Sequence, residues 1–203
     1  MTCTRIGVGL LVFASLTGCM DDGYETVGES CNSNAECPLD WVCNRVTRTC
    51  EHEATNRFMG TVSCEYGATG EATSNGASDI AGWLGLQGGS KPLRVRTNVL
   101  GRCYASETAA MFIADGLDST GTQYSLSVAL PVPKAGAFEI VPYDTWVDRT
   151  DEAGMAGIHA VPPGSSEAIF LAKSAHGVVA LDANPSPGTR VSLYVDIVMQ
   201  PTM

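Results

Sequence analysis

Positive charge is scarce in this chain: 12 lysines and arginines face 22 acids among 203 residues, a formal net charge of −10. A surface of that sign repels phosphate backbones and anionic headgroups, which argues against nucleic acid as a partner. Long apolar runs are missing too. The longest uncharged one, Ile6 to Leu16, is well short of the about 20 residues needed to cross a bilayer. No extended segment repeats its apolar residues with period 3.6, so a helical architecture is disfavoured. The motifs of common enzyme chemistries are also lacking. There is no H-E-x-x-H to set two ligands on one helical face, no G-x-S-x-G elbow and no G-x-x-x-x-G-K-[ST] phosphate loop. The three histidines, His52, His159 and His176, stand alone. Ser165 and Ser166 follow Pro-Pro-Gly, where a turn explains them better than nucleophilic chemistry does. A hydrolase would need a deep pocket that brings His159 or His176 beside an acid or a serine.

What is present begins with the leader. Met1 to Arg5 carry one positive charge, an apolar stretch follows, and "LTGC" closes it at Cys19 before the chain turns acidic in "MDDGYE". That layout is a secretory signal. Leu16-Thr17-Gly18-Cys19 resembles the lipobox of bacterial lipoproteins. The resemblance implies cleavage before Cys19 and a lipid on its sulfur, with the membrane reached through acyl chains that contribute about 0.8 kcal/mol per buried methylene. Met20 follows the cysteine directly and Asp21 comes only after it. By the family's sorting behaviour, this implies the outer membrane rather than the inner. Loss of Arg5 with the leader leaves 11 basic against 22 acidic residues, a net −11.

Of the eight cysteines, Cys3 departs with the leader and Cys19 takes the lipid, leaving Cys31, Cys37, Cys43, Cys50, Cys64 and Cys103. An even set in an exported chain argues for disulfides. Four fall in "CNSNAECPLDWVCNRVTRTC" with C-x5-C-x5-C-x6-C spacing. Structural zinc prefers C-x2-4-C knuckles that aim two thiolates at one ion, and this spacing lacks them. Two bonds are expected within this segment, in any of three pairings, and one between Cys64 and Cys103. A 20-residue module is too short to own a hydrophobic core, so its bonds must supply what burial does not. With its Gly-x-x-Cys start, an acid beside the second cysteine and Trp41 two residues before the third, the segment resembles small Cys-rich modules of bacterial surface lipoproteins and secreted animal proteins. In such modules the pairing alternates, which implies Cys31 with Cys43 and Cys37 with Cys50, and a role as spacer or interaction knob.

The organisation that follows is a cleaved signal (1–18), a lipidated acidic tether (19–30), a disulfide-rich module (31–50), a polar hinge (51–57) and a β domain (58–203). Within the last, "TQYSLSVAL" alternates with Tyr124, Leu126, Val128 and Leu130 on one face. "TRVSLYVDIVM" does so with Val191, Leu193, Val195, Ile197 and Met199. Period two marks half-buried strands. Weaker strands are expected at Phe58 to Tyr66, Leu93 to Asn98, Ala109 to Ala114, Ala137 to Val141, Glu167 to Lys173 and Gly177 to Asp182, punctuated by Gly/Pro/Asn turns. Eight short strands predict a mainly β, antiparallel sandwich of the jelly-roll or immunoglobulin-like kind, with a barrel equally allowed. "ASDIAGWLGLQ" is the one helical candidate.

The loop "YDTWVDRTDEAG" is the one constellation with ligand chemistry: Asp144, Asp148, Asp151 and Glu152 flanked by Tyr143 and Trp146. Carboxylates on a loop suit calcium, although no D-x-[DN]-x-[DN]-G spacing is present, and aromatics beside carboxylates suit a sugar. No other cofactor is indicated. The reading that emerges is a non-enzymatic, lipid-anchored envelope protein that binds an envelope protein or serves as a structural accessory. The first alternative is a carbohydrate- or calcium-dependent ligand-binding module that uses Tyr143 to Glu152, and the second is an envelope hydrolase.

Overall fold

A computed structural model describes residues 29–37, 41–44, 47–52, 56–68, 70–85, 92–105, 109–131 and 134–202. The leader, Cys19 and the tether up to residue 28 lie outside the described residues. The fold is mainly β. A small hairpin of β1 (Trp41–Asn44) and β2 (Thr49–His52) follows a short 3₁₀ turn at Asn34–Glu36. The segment read as a hinge gives Glu51 and His52 to β2 and Arg57 to the next strand.

The remaining strands are β3 (Arg57–Glu65), β4 (Ala72–Thr73), β5 (Ala77–Leu84), β6 (Leu93–Thr97), β7 (Leu100–Ala105), β8 (Ala109–Leu117), β9 (Gln123–Pro131), β10 (Gly136–Ile140), β11 (Met155–Val161), β12 (Ile169–Leu181) and β13 (Arg190–Pro201). They form one 11-stranded sheet in the order β4-β7-β8-β9-β11-β12-β13-β3-β5-β6, with β10 paired to β12. Every strand pairing in it is antiparallel.

The two strongly alternating segments became β9 and β13, and each inward set named above is buried. The helical expectation for "ASDIAGWLGLQ" is corrected: residues 77–84 are β5. Ile80 and Leu84, four apart, serve a helix face and a strand face equally well. Gly82 decides for the strand, because a Cβ there would collide with the Phe58 ring and the Arg57 carbonyl of β3. Strands β7 and β11 were not anticipated, and the two expected pieces at 167–173 and 177–182 are one continuous β12 that shifts register between Ser174 and His176.

The sheet curls until its ends meet around one core. Cys64 on β3 and Cys103 on β7 are six places apart in strand order, yet they are bonded to each other. Strand β6 packs on β8 and β9 without pairing to them. The core accordingly mixes Val62, Ile80, Leu84 and Val95 from one end of the sheet with Phe112, Ala114, Leu126 and Leu130 from the other. Glycines permit the close approach. A side chain at Gly101 of β7 would strike the Ala77 and Ser63 carbonyls, and one at Gly116 of β8 would strike Arg96 of β6. A main-chain bond stitches the same seam, Gly76 N–H to Gly101 O at 3.1 Å, while Val99 N–H to Asp115 O at 3.0 Å prolongs the β7–β8 pairing. Next to it, Asp115 is buried and satisfied by Arg102 (Nε at 2.7 Å, Nη2 at 3.0 Å) and by the Ser125 hydroxyl at 2.6 Å.

The small module carries the alternating pairing, Cys31–Cys43 and Cys37–Cys50, and Trp41 packs on the disulfide cluster. It is fastened to the outer face of the sheet through Asn34. This side chain, 4% exposed, donates from Nδ2 to Met59 O (3.2 Å) and Asp79 O (3.1 Å) and accepts from Cys43 N–H (2.8 Å). Its own N–H donates to Asp79 Oδ2 at 2.8 Å. Met59 and Ala81, which face away from the main core, form a separate buried patch beside this contact.

Asn34→Ala is expected to lower stability by about 3 kcal/mol in urea denaturation, because it leaves buried donors and acceptors without partners at roughly 1–3 kcal/mol each. The double substitution Cys64→Ala, Cys103→Ala releases a 39-residue separation. From the loop-entropy relation, the same measurement should show a loss of about 4 kcal/mol.

Candidate functional site

The outer face of β8, β9, β11 and β12 carries a groove built by cross-strand registry. Pairings Ile113↔Ser127, Ser127↔Gly157 and Gly157↔Lys173 set one row across four strands. Asp115↔Ser125, Ser125↔His159 and His159↔Phe170 set the next, and Met111↔Ala129 with Ala129↔Met155 set the row on the other side. Gly157 contributes no side chain to the middle row, so a depression opens between its neighbours. It measures about 410 Å³, with Ser127 and Gly157 at its floor, Met155, His159 and Phe170 as walls, and Lys173 and Thr202 bordering it.

A register shift between Ile158 and His159 pairs His159 with Phe170 rather than with the residue next in phase. Bulges of this kind re-aim side chains. Here the result is a ring pair with centroids 4.8 Å apart, tilted at 45°. Burial against that wall pushes the His159 imidazole below its ordinary pKa, so at neutral pH the ring is uncharged. Phe170 itself is 41% exposed and offers an open aromatic face. The hydroxyls of the groove are already committed as donors, Ser127 to Gly157 O at 3.3 Å and Thr202 to Phe170 O at 2.8 Å. Lys173 is the cation of the groove, and its Nζ lies 3.5 Å from Asp144 Oδ2.

That last contact connects the groove to the loop singled out in the sequence. Residues Tyr143–Trp146 form a single helical turn, α1. The Tyr143 side chain lies outside the described residues. Trp146 is half-buried and donates from Nε1 to Ala153 O at 3.1 Å, tying the loop to itself. Arg149 takes up Glu139 (3.1 Å) and Glu152 (3.5 Å), while Asp148 and Asp151 face solvent. Of the loop's acids, only Asp144 reaches the groove.

Among the described residues, the one place where three or more potential metal-ligating side chains converge is Cys31, Cys37 and Cys43, and all three sulfurs are held in disulfides. His176 is exposed on β12, and the His52 side chain lies outside the described residues. Ser165 both donates to Glu167 O and accepts from Glu167 N–H, closing a turn.

A second concavity of about 370 Å³ lies between β6 and the β8–β9 connection. Its arginines are engaged within the fold: Arg96 with Asp79 at 3.6 Å, and Arg94 over the Trp83 ring at 5.6 Å.

Sequence reasoning found Asp144 but missed Ser127, Met155, Gly157, Phe170, Lys173 and Thr202. The signal available was a glycine amid "MAGIHAV", because an isolated glycine in a strand marks a bulge or an open surface. No protein-family model matches the chain, and no curated protein or solved structure matches it.

The depressed histidine makes stability depend on pH in a definite direction. The folded state binds a proton at His159 less readily than the unfolded chain. Its contribution is therefore fully present above pH about 6.5 and declines as pH falls through the folded value. Urea midpoints at pH 7.5 and 5.5 should fall less in His159→Phe than in the native protein, since every other titrating group is common to both.

Proposed function

We propose that this is a lipid-anchored protein of the bacterial envelope, held at the outer membrane through Cys19, whose folded part is a non-enzymatic binding module. We read the curled sheet as a β-sandwich, with β3, β5 and β6 lying over β7, β8 and β9. The observation that carries the binding reading is the groove: an aromatic pair, a methionine and a single lysine around a glycine floor. Its hydroxyls are spent as donors on neighbouring carbonyls, and its imidazole is packed on Phe170. An unengaged serine facing a histidine would favour acyl-transfer chemistry, since a nucleophile needs a base within hydrogen-bond reach. The lipid would supply residence at the membrane and the acidic tether reach. Asn34 would hold the knob and the sheet as one rigid presenting body. No helix among the described residues is long and apolar enough to cross a membrane.

Two measurements test this. Metabolic labelling with an alkyne fatty acid should mark the native protein and leave Cys19→Ala unlabelled; label persisting in the variant would remove the anchor. Native mass spectrometry of protein gently extracted from envelopes should detect a co-purifying small molecule that is absent from Gly157→Val. That substitution places a side chain 3.0 Å from Phe170 Cε2 and fills the depression. Equal ligand occupancy in both proteins would remove the groove as the site.

A further inference from the structure

We propose that the groove takes a small carboxylate with a flat apolar body, seated with its ring or planar chain against Phe170 and its carboxylate on Lys173, where Asp144 competes with it. The proposal rests on the groove being the binding site. The walls are mainly apolar: Met155 and Phe170, with the His159 ring tilted against Phe170. A thioether and an aromatic face both favour a flat, polarisable partner.

A sugar of comparable size would need several oriented donors and acceptors for its hydroxyls. Ser127 and Thr202, having given their protons to Gly157 O and Phe170 O, retain only acceptor lone pairs. The charged donor is Lys173. Its partner Asp144 sits at 3.5 Å, longer than a close charge-assisted bond, on a side chain 82% exposed. Ion pairs this open add little to stability and exchange readily. The geometry therefore sets a carboxylate from the protein where a ligand carboxylate would lie, held loosely enough to be displaced. Acids farther than about 8 Å from Lys173 oppose an anion there only weakly, because physiological salt screens charges beyond that distance.

Amide chemical shifts report the test directly, with trans-cinnamate, its neutral amide cinnamamide and methyl glucoside as probes on the full protein in detergent. Cinnamate is expected to shift Gly157, Phe170 and Lys173 saturably, and cinnamamide to bind at least tenfold more weakly. Lys173→Met should abolish the difference between the two, Lys173→Arg should retain it, and Asp144→Asn should tighten cinnamate about threefold.

Equal binding of acid and amide, an unchanged preference in Lys173→Met, or no tightening in Asp144→Asn would overturn the proposal, as would saturable shifts from methyl glucoside alone. Absence of cinnamate binding together with a co-purifying molecule lost in Gly157→Val would sink this ligand class and leave the groove as the site. Loss of both would sink the reading beneath it.

Discussion

One constraint governs this molecule: an 11-stranded antiparallel sheet with a single apolar face must hide that face from water, and no helix layer is available among the described residues to cover it. The sheet solves this by covering itself. Side chains from its two ends meet in one core, and Cys64–Cys103 fixes that meeting covalently between strands distant in the pairing order. Apolar burial, worth about 25 cal/mol per Å², supplies the drive to curl, while the disulfide and the glycine seam set which parts of the sheet touch. Closure also shelters the edges. The approach of Gly76 to Gly101 and of β6 to β8 covers main-chain groups that would otherwise invite pairing with another chain.

Once the inner face is closed, all remaining chemistry is displaced to the outer one, which is used unevenly. Over β3 and β5 it is covered by the disulfide-rich module, which turns Met59 and Ala81 into a small second core and spends Asn34 on holding it there. At Asp115 it carries a polar cluster that is itself shielded. Across β9, β11 and β12 it stays open, and there the absence of one side chain, at Gly157, shapes the groove. Two parts of the same surface thus take opposite roles, one sealed by a polar anchor and one left concave.

The legibility of the sequence followed the range of the interactions involved. Strands β9 and β13 could be read because alternation is a local property of consecutive residues, and the even cysteine set pointed to disulfides without any knowledge of the fold. Strand β5 was misread because Ile80 and Leu84 satisfy two periods at once, and what separates the periods is the Phe58 ring of a neighbouring strand. Strand β11, "MAGIHAV", combines small residues with a bulge and so gives a weak alternation signal. The groove was invisible for the same reason. Ser127, Gly157 and Lys173 become neighbours only through registry between β9, β11 and β12. The acidic loop drew attention by composition, yet its acids disperse into local ion pairs and solvent, and Asp144 alone takes part at the groove.

The connectivity of the small module has a consequence for how the chain must be made. A polypeptide that emerges N-terminus first presents Cys31 and Cys37 together before Cys43 and Cys50 follow, so oxidation in order of appearance would join neighbours. The native bonds cross instead, Cys31 to Cys43 and Cys37 to Cys50. Neighbour-joined chains can reach that arrangement only when a free thiolate attacks a bond already made and passes it along. Maturation therefore depends on timing: either oxidation waits until all four sulfurs are out, or a thiol-exchange catalyst reshuffles them afterwards. Oxidation in order of appearance, with no exchange afterwards, would leave a mis-stapled form in which Asn34 has no folded knob to secure.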